Sequence, residues 1–125
     1  MKDAEFHPAA LSEIKSYPKE IKAKLGELIL DLQLGESVSM PDSRPMPSVA
    51  PGVSELRVKD SQNQYRAFYY LKVAGKVLVF HTFIKKSEKT LKREIDIGKK
   101  RLKEILEATN GEIECNHSEE SKRAF

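Results

Sequence analysis

The stretch HTFIKKSEKTLKREI, residues 81–95, places His81, Lys85, Lys86 and Lys89 where an apolar strand hands over to a helix. Cations this close repel one another, so their grouping makes sense if an anion sits between them. Upstream, Arg57 and Lys59 in VSELRVK and Arg66 and Lys72 in YRAFYYLKVA recur at strand spacing. Period-two geometry gathers these four on one side of a sheet, with Lys85 and Lys86 leaving a third strand at its edge. Tyr65, Phe68, Tyr69, Tyr70 and Phe83 are interleaved with the cations. Phosphates would take the charge and unstacked bases the rings, so the combination suits RNA. The plainer alternative makes the tyrosines and Phe68 core residues with wet tips and lets Arg57 pair with Glu55 or Asp60. His81 is the only histidine inside a predicted element.

Other chemistries have less to build on. The chain holds no phosphate-cradling glycine loop, no cysteine pair and no His-Glu helix motif. Cys115 and His117 stand two apart near the C-terminus, too little for a metal site, so neither metal nor small-molecule cofactor is expected. Residues 57–103 carry fourteen Lys or Arg against four Asp or Glu, a net charge of about +10, and the other 78 residues carry about −7. Such segregation favours a polyanionic partner, nucleic acid before membrane, although a lysine-rich helix can simply be a solvated one. The hardware suits stabilising an anionic transition state better than removing protons with carboxylates.

The elements that must position these groups can be read from spacing. At 125 residues the chain is expected to form one domain, residues 1–109, followed by a mobile tail, 110–125, whose sequence has no hydrophobic period. Pro8 opens a short helix that SYP breaks near residue 17. A second begins near Pro18, with Ile21, Leu25, Leu28, Ile29 and Leu32 on one stripe and Gly35 as its stop. The two form a helical hairpin. Residues 36–54 hold four prolines, one glycine and five serines, which leaves a long connection without helix or central strand. Three strands follow, 53–59, 65–74 and 76–86, as an antiparallel meander; whether AEF adds another is undecided. In the third, alternation sets Val77, Val79, His81, Phe83 and Lys85 on one face and Leu78, Phe80, Thr82 and Ile84 on the other. The last helix runs from about Thr90 to Ala108, packs through Leu91, Ile95, Leu102 and Ile105, exposes Lys92, Lys99, Lys100 and Lys103, and ends at Asn110-Gly111. The fold class is α+β, an N-terminal helical hairpin on a small antiparallel sheet of three to four strands with a C-terminal helix. The single cysteine fits a reducing cytoplasm, and neither a membrane span nor a signal-peptide core is present in the sequence.

The run SELRVKDSQNQYRAFYYLKVAGKVLVFHTFIKKSEKTLKREIDIGKKRLKEI resembles the HigB-like, phage-associated branch of the RelE superfamily of bacterial toxins. The shared pattern is an E-L-R strand, a Y-R strand, a hydrophobic strand ending in H-x-F-x-K-K, then K-T and a helix with E-I and a late arginine. YPKEIKAKLGELILDLQLG is similar to that family's second helix, so the likeness spans about residues 5–106. It implies a RelE-like fold and a ribosome-dependent endoribonuclease that cuts mRNA in the decoding site, with the ribose 2′-hydroxyl attacking the adjacent phosphate and no metal needed. It also implies an inhibitory helix-turn-helix antitoxin of the HigA type. On matching positions, Arg57, Arg66, Lys86 and His81 become the catalytic candidates, His81 either as a proton acceptor or, in the alternative, as a packed side chain, and Lys59, Lys72, Lys85, Lys89, Lys92 and Phe83 the RNA-binding ones. Leu91 stands where the family often has proline after K-T, and the 36–54 connection is longer than the family leads one to expect. Two other readings share the basic surface: a non-cleaving RNA- or ribosome-binding module, and an accessory phage-derived protein on the same scaffold.

Overall fold

A computed structural model describes residues 1–86 and 92–116, with residues 110–116 as backbone alone. In chain order the elements are β1 (Asp3–Phe6), α1 (Pro8–Lys15), α2 (Lys19–Gln33), β2 (Ser43–Pro45), β3 (Val53–Lys59), β4 (Gln64–Tyr70), β5 (Lys76–Lys85) and α3 (Lys92–Asn116). The strands form one mixed sheet in the order β1-β5-β4-β3-β2. The meander β3-β4-β5 is antiparallel as the spacing predicts, but β2 pairs beside β3 and β1 runs parallel to β5. The sheet therefore has five strands, not three or four, and is not purely antiparallel. Both additions are short, four and three residues, which leaves little open edge.

Helix boundaries follow local chemistry. Pro8 occupies the first turn of α1, where its missing N–H costs nothing, and the His7 ring accepts the Ala9 N–H at 3.1 Å. At the end of α2, Gly35 takes a φ of 84°, open to glycine without strain. The Glu36 N–H then reaches Asp31 O at 2.9 Å and the Gly35 N–H reaches Leu32 O at 3.1 Å, a Schellman closure. The two helices make their main contacts with the sheet, α1 on β5 and α2 on β3, β5 and β1, so the expected hairpin is a layer laid on the strands.

Two cores result. Ile21, Leu25, Ile29 and Leu32 of α2 meet Leu56, Val58, Tyr65, Ala67, Tyr69, Val77 and Val79 on one side of the sheet. On the other, Leu102 and Ile105 of α3 meet Val53, Phe68, Leu78, Phe80 and Phe83. Coverage on both faces explains why β5 is apolar throughout. Gly98 permits the close crossing of α3, because a Cβ there would come within 2.9 Å of the buried Phe68 ring. The proline-rich connection is not a free loop: Met46 and Val49 enter the second core, and Ser43 Oγ lies 2.6 Å from Tyr69 Oη. α3 passes Asn110 and Gly111 and is helical to Asn116, overriding the stop read there. The K-T step with Leu91, and residues 117–125 of the tail, lie outside the described residues.

Candidate functional site

Strict alternation fails at one position, and that failure shapes the site. β4 pairs Phe68 with His81 but Tyr69 with Val79, so Phe80 is an extra residue, a bulge, in β5. Beyond it the faces exchange. Thr82 now points with Val79 toward the α1–α2 layer, where its Oγ1 lies 3.0 Å from Oη of Tyr17 in the turn between the two helices. Phe80 and His81 both face α3. The sequence expectation that His81 shares a face with Val77 and Val79 is corrected accordingly, because a period-two reading cannot count an inserted residue.

The α3 side of the sheet carries the charged residues at its far end. Arg57 and Arg66 stand directly opposite one another on β3 and β4, and Gln64 pairs with Lys85 on β5. Like charges at cross-strand distance are unfavourable, and Glu55 meets them. Its Oε1 lies 3.2 Å from Arg66 Nε and 3.8 Å from Arg57 Nε. Glu55 and Arg66 are buried, at 1% and 3% exposure, while Arg57 is partly open. Burial pushes the Glu55 carboxyl up against the opposing pull of Arg66, Arg57, Lys85 and Arg44. Burial also lowers the Arg66 guanidinium from its ordinary value, though an arginine stays charged. Lys85 is lowered by desolvation first and by Arg66 second.

These residues open onto a groove of about 830 Å³ lined by Arg57, Lys59, Arg66, Lys85, Lys86 and the 60–64 turn. Asp60 Oδ1 fixes that turn by accepting the Gln62 and Asn63 N–H groups at 2.8 and 2.7 Å, and these bonds hold its pKa down. A second groove, about 570 Å³, runs on the α2 side past Lys24, Leu28, Pro41 and Val58 and shares Arg57, Lys59, Gln64 and Arg66 with the first. What the arrangement offers is a concave surface on which five cations converge with Asp60 as the one acid among the described lining residues, suited to holding a phosphodiester. Among the described residues no group of three His, Cys, Asp or Glu side chains could hold a metal, and no helix is long and apolar enough to cross a membrane.

Other sequence candidates fall elsewhere. His81 is 2% exposed, and both ring nitrogens are occupied: Nδ1 accepts from Arg101 Nη1 at 2.9 Å, which leaves Nε2–H to donate to Glu94 Oε1 at 2.8 Å. Burial lowers its pKa, so it is a neutral ring. Of its two readings, the geometry supports the packed one. Phe83 stacks on His81 at 5.4 Å and is 8% exposed, too deep in the core to receive a base; its expected stacking role is corrected. Lys72 lies past the end of β4 against Gly52, away from the groove. Lys92 is exposed on α3 and paired with Asp96 at 2.8 Å. Lys89 lies outside the described residues. Sequence reasoning missed two participants. Arg44, opposite Glu55 on β2, brings a further cation to the same face from within the proline-rich connection. Glu55 itself entered only as an incidental partner of Arg57, and no spacing rule marks a carboxylate as buried between two arginines.

A family model for phage-derived Gp49-like proteins (DUF891) matches residues 12–103. Among solved structures, the isolated E. coli RelE toxin is 18% identical over 70% of this chain and 89% of that one, with a TM-score of 0.51. The intact E. coli RelBE toxin–antitoxin complex is 17% identical over 71% of this chain and 100% of that one, with a TM-score of 0.42. No curated protein matches significantly. The family match and the RelE-like fold agree with the superfamily resemblance carried by about residues 5–106.

Proposed function

We propose that this chain, which belongs to the Gp49-like family of phage-derived proteins, is the toxin of a type II toxin–antitoxin pair and cuts mRNA on the ribosome. The observation that carries the reading is the convergence of Arg57, Arg66 and Lys85 on one groove around a buried carboxylate. A groove so built has a use for an anion and gains most from one whose charge grows during reaction. In the proposed step the ribose 2′-oxygen bonds to the adjacent phosphorus, the bond from phosphorus to the 5′-oxygen breaks, and a 2′,3′-cyclic phosphate and a 5′-hydroxyl result. Arg57 and Arg66 stabilise the phosphorane, and Lys86 and Lys59 steer the strand. The 2′-proton goes to solvent and the leaving 5′-oxygen takes one from the Lys85 ammonium, which lines the groove, whereas His81 has both ring nitrogens engaged.

The superfamily resemblance supports a HigA-like helix-turn-helix antitoxin as inhibitor and the cytoplasm as the place of action. A second reading, a ribosome- or RNA-binding module without cleavage, draws on the engagement of His81, which removes one proton acceptor. Expression of the chain alone and together with the neighbouring reading frame tests the toxin pair. Growth should stop with the chain alone and recover with the neighbour; growth unaffected by either would defeat the proposal.

A further inference from the structure

Among the described residues, neither oxygen of Glu55 has a well-formed hydrogen bond, nor does Nε of Arg57 or Arg66, although all four atoms are buried. A dry carboxylate without such bonds is expensive to keep, and an isosteric apolar residue would pack as well. Its position explains the expense. Both arginines approach Glu55 by their Nε edges. Among the described residues, their outer nitrogens reach weak or exchangeable partners: Arg57 Nη1 lies 3.7 Å from Met40 Sδ, and Arg66 Nη2 donates to Gln64 Oε1 at 2.9 Å, itself at the rim of the groove.

We propose that Glu55 is a positioning residue that holds Arg57 and Arg66 by their Nε edges, aims their Nη ends at one phosphate, and offsets part of their charge before reaction. The inference rests on the nuclease reading above and deepens it. A phosphodiester carries one negative charge and its phosphorane more, so the counter-charge disfavours both, and the gain in rate comes from the aimed Nη donors, which strengthen as charge develops. Glu55 touches no reacting atom. Its effect should therefore split binding from rate, which a merely structural carboxylate would not do.

The test uses Glu55→Gln, which keeps shape and removes charge, and Glu55→Asp, which keeps charge and withdraws it by one methylene. Affinity is measured on ribosomes carrying mRNA with a 2′-deoxy sugar at the cut site, and single-turnover cleavage on the all-ribose message at saturating protein. Glu55→Gln should bind as tightly as wild type or tighter, yet cleave slower by on the order of 10²-fold. Glu55→Asp should slow cleavage without tightening binding. Equal loss of binding and rate, or wild-type values for both, overturns the proposal. Should Glu55→Gln fail to fold by circular dichroism, Glu55→Asp and the arginine Nε–H resonances decide: two exchange-protected signals in wild type support it, and free-arginine behaviour overturns it. A wild type that leaves the message intact defeats the nuclease reading instead, and the affinity of Glu55→Gln for the deoxy-substituted message still reads whether Glu55 offsets the charge.

Discussion

Replacing Arg66 with Ala would look, from sequence, like trimming one cation from a solvated surface. The structure makes it a stability experiment as well. Arg66 is 3% exposed, and its removal leaves the Glu55 carboxylate, 1% exposed, with Arg57 Nε at 3.8 Å as its ion-pair partner among the described residues. Breaking a buried ion pair from one side costs about 3–5 kcal/mol. Glu55 has one escape, to take up a proton. From an ordinary carboxyl value of 4.5, protonation at pH 7 costs about 3 kcal/mol, and at pH 5 under about 1 kcal/mol. Arg66→Ala should therefore lose about 3 kcal/mol at pH 7, plus the packing of its stem, and distinctly less at pH 5. Urea unfolding of wild type and variant at both pH values measures this. Arg57→Ala, from a side chain 24% exposed and farther from the carboxylate, should cost about 1 kcal/mol or less. A loss for Arg66→Ala that is the same at both pH values, or matched by Arg57→Ala, would refute the claim that Glu55 is a buried charge held chiefly by Arg66.

Gly98→Ala gains helix propensity of about 1 kcal/mol but presses a methyl to 2.9 Å from Phe68, an overpacking worth about 1–3 kcal/mol, so thermal unfolding should show a net loss. His81 is buried neutral among Glu94, Arg101 and Glu13, so its folded pKa lies below the ordinary 6.5. Between the two values the unfolded chain binds the extra proton, and stability is full above 6.5 and lost as pH falls below it. His81→Gln should flatten that dependence between pH 7.5 and 5.5; an unchanged slope would assign it to other groups. Reversing Lys85 and Lys86 to Glu should abolish ribosome association, while reversing Lys99 and Lys103, exposed on α3, should weaken it far less. Equal losses would mean diffuse attraction only, and with wild type the logarithm of affinity should fall with a slope of roughly −0.7 per phosphate neutralised on single-stranded RNA.

The α2 stripe, the Gly35 stop and the three-strand meander were legible because helical and strand periods are local properties of sequence. β1 was not, since three or four residues carry no period and its pairing with Lys76–Val79 is set by the rest of the sheet. The bulge at Phe80 was invisible for the same reason, and it moved His81 to the α3 side. Alternation and the strand edge set Arg57, Lys59, Arg66, Lys85 and Lys86 together, and these line one groove, whereas Lys72, which alternation placed with them, lies past the end of β4. What alternation could not give was depth. It set Arg66 on an exposed face, whereas α3 and the flanking strands bury it beside Glu55. Phe83 and Arg44 were misjudged in opposite senses, one as a surface ring and one as part of a structureless loop, because both depend on which distant segment covers them.

Mapping the ends of an mRNA positioned in the ribosomal decoding site, after single-turnover mixing with this protein, tests the central claim most directly. Wild type should leave a 2′,3′-cyclic phosphate on the upstream fragment and a 5′-hydroxyl on the downstream one. Arg57→Ala, which keeps the buried Glu55–Arg66 pair, should bind the same ribosomes nearly as well and cut on the order of 10²-fold more slowly. An intact message with wild-type protein bound, or cleavage by Arg57→Ala at the wild-type rate, would contradict the account.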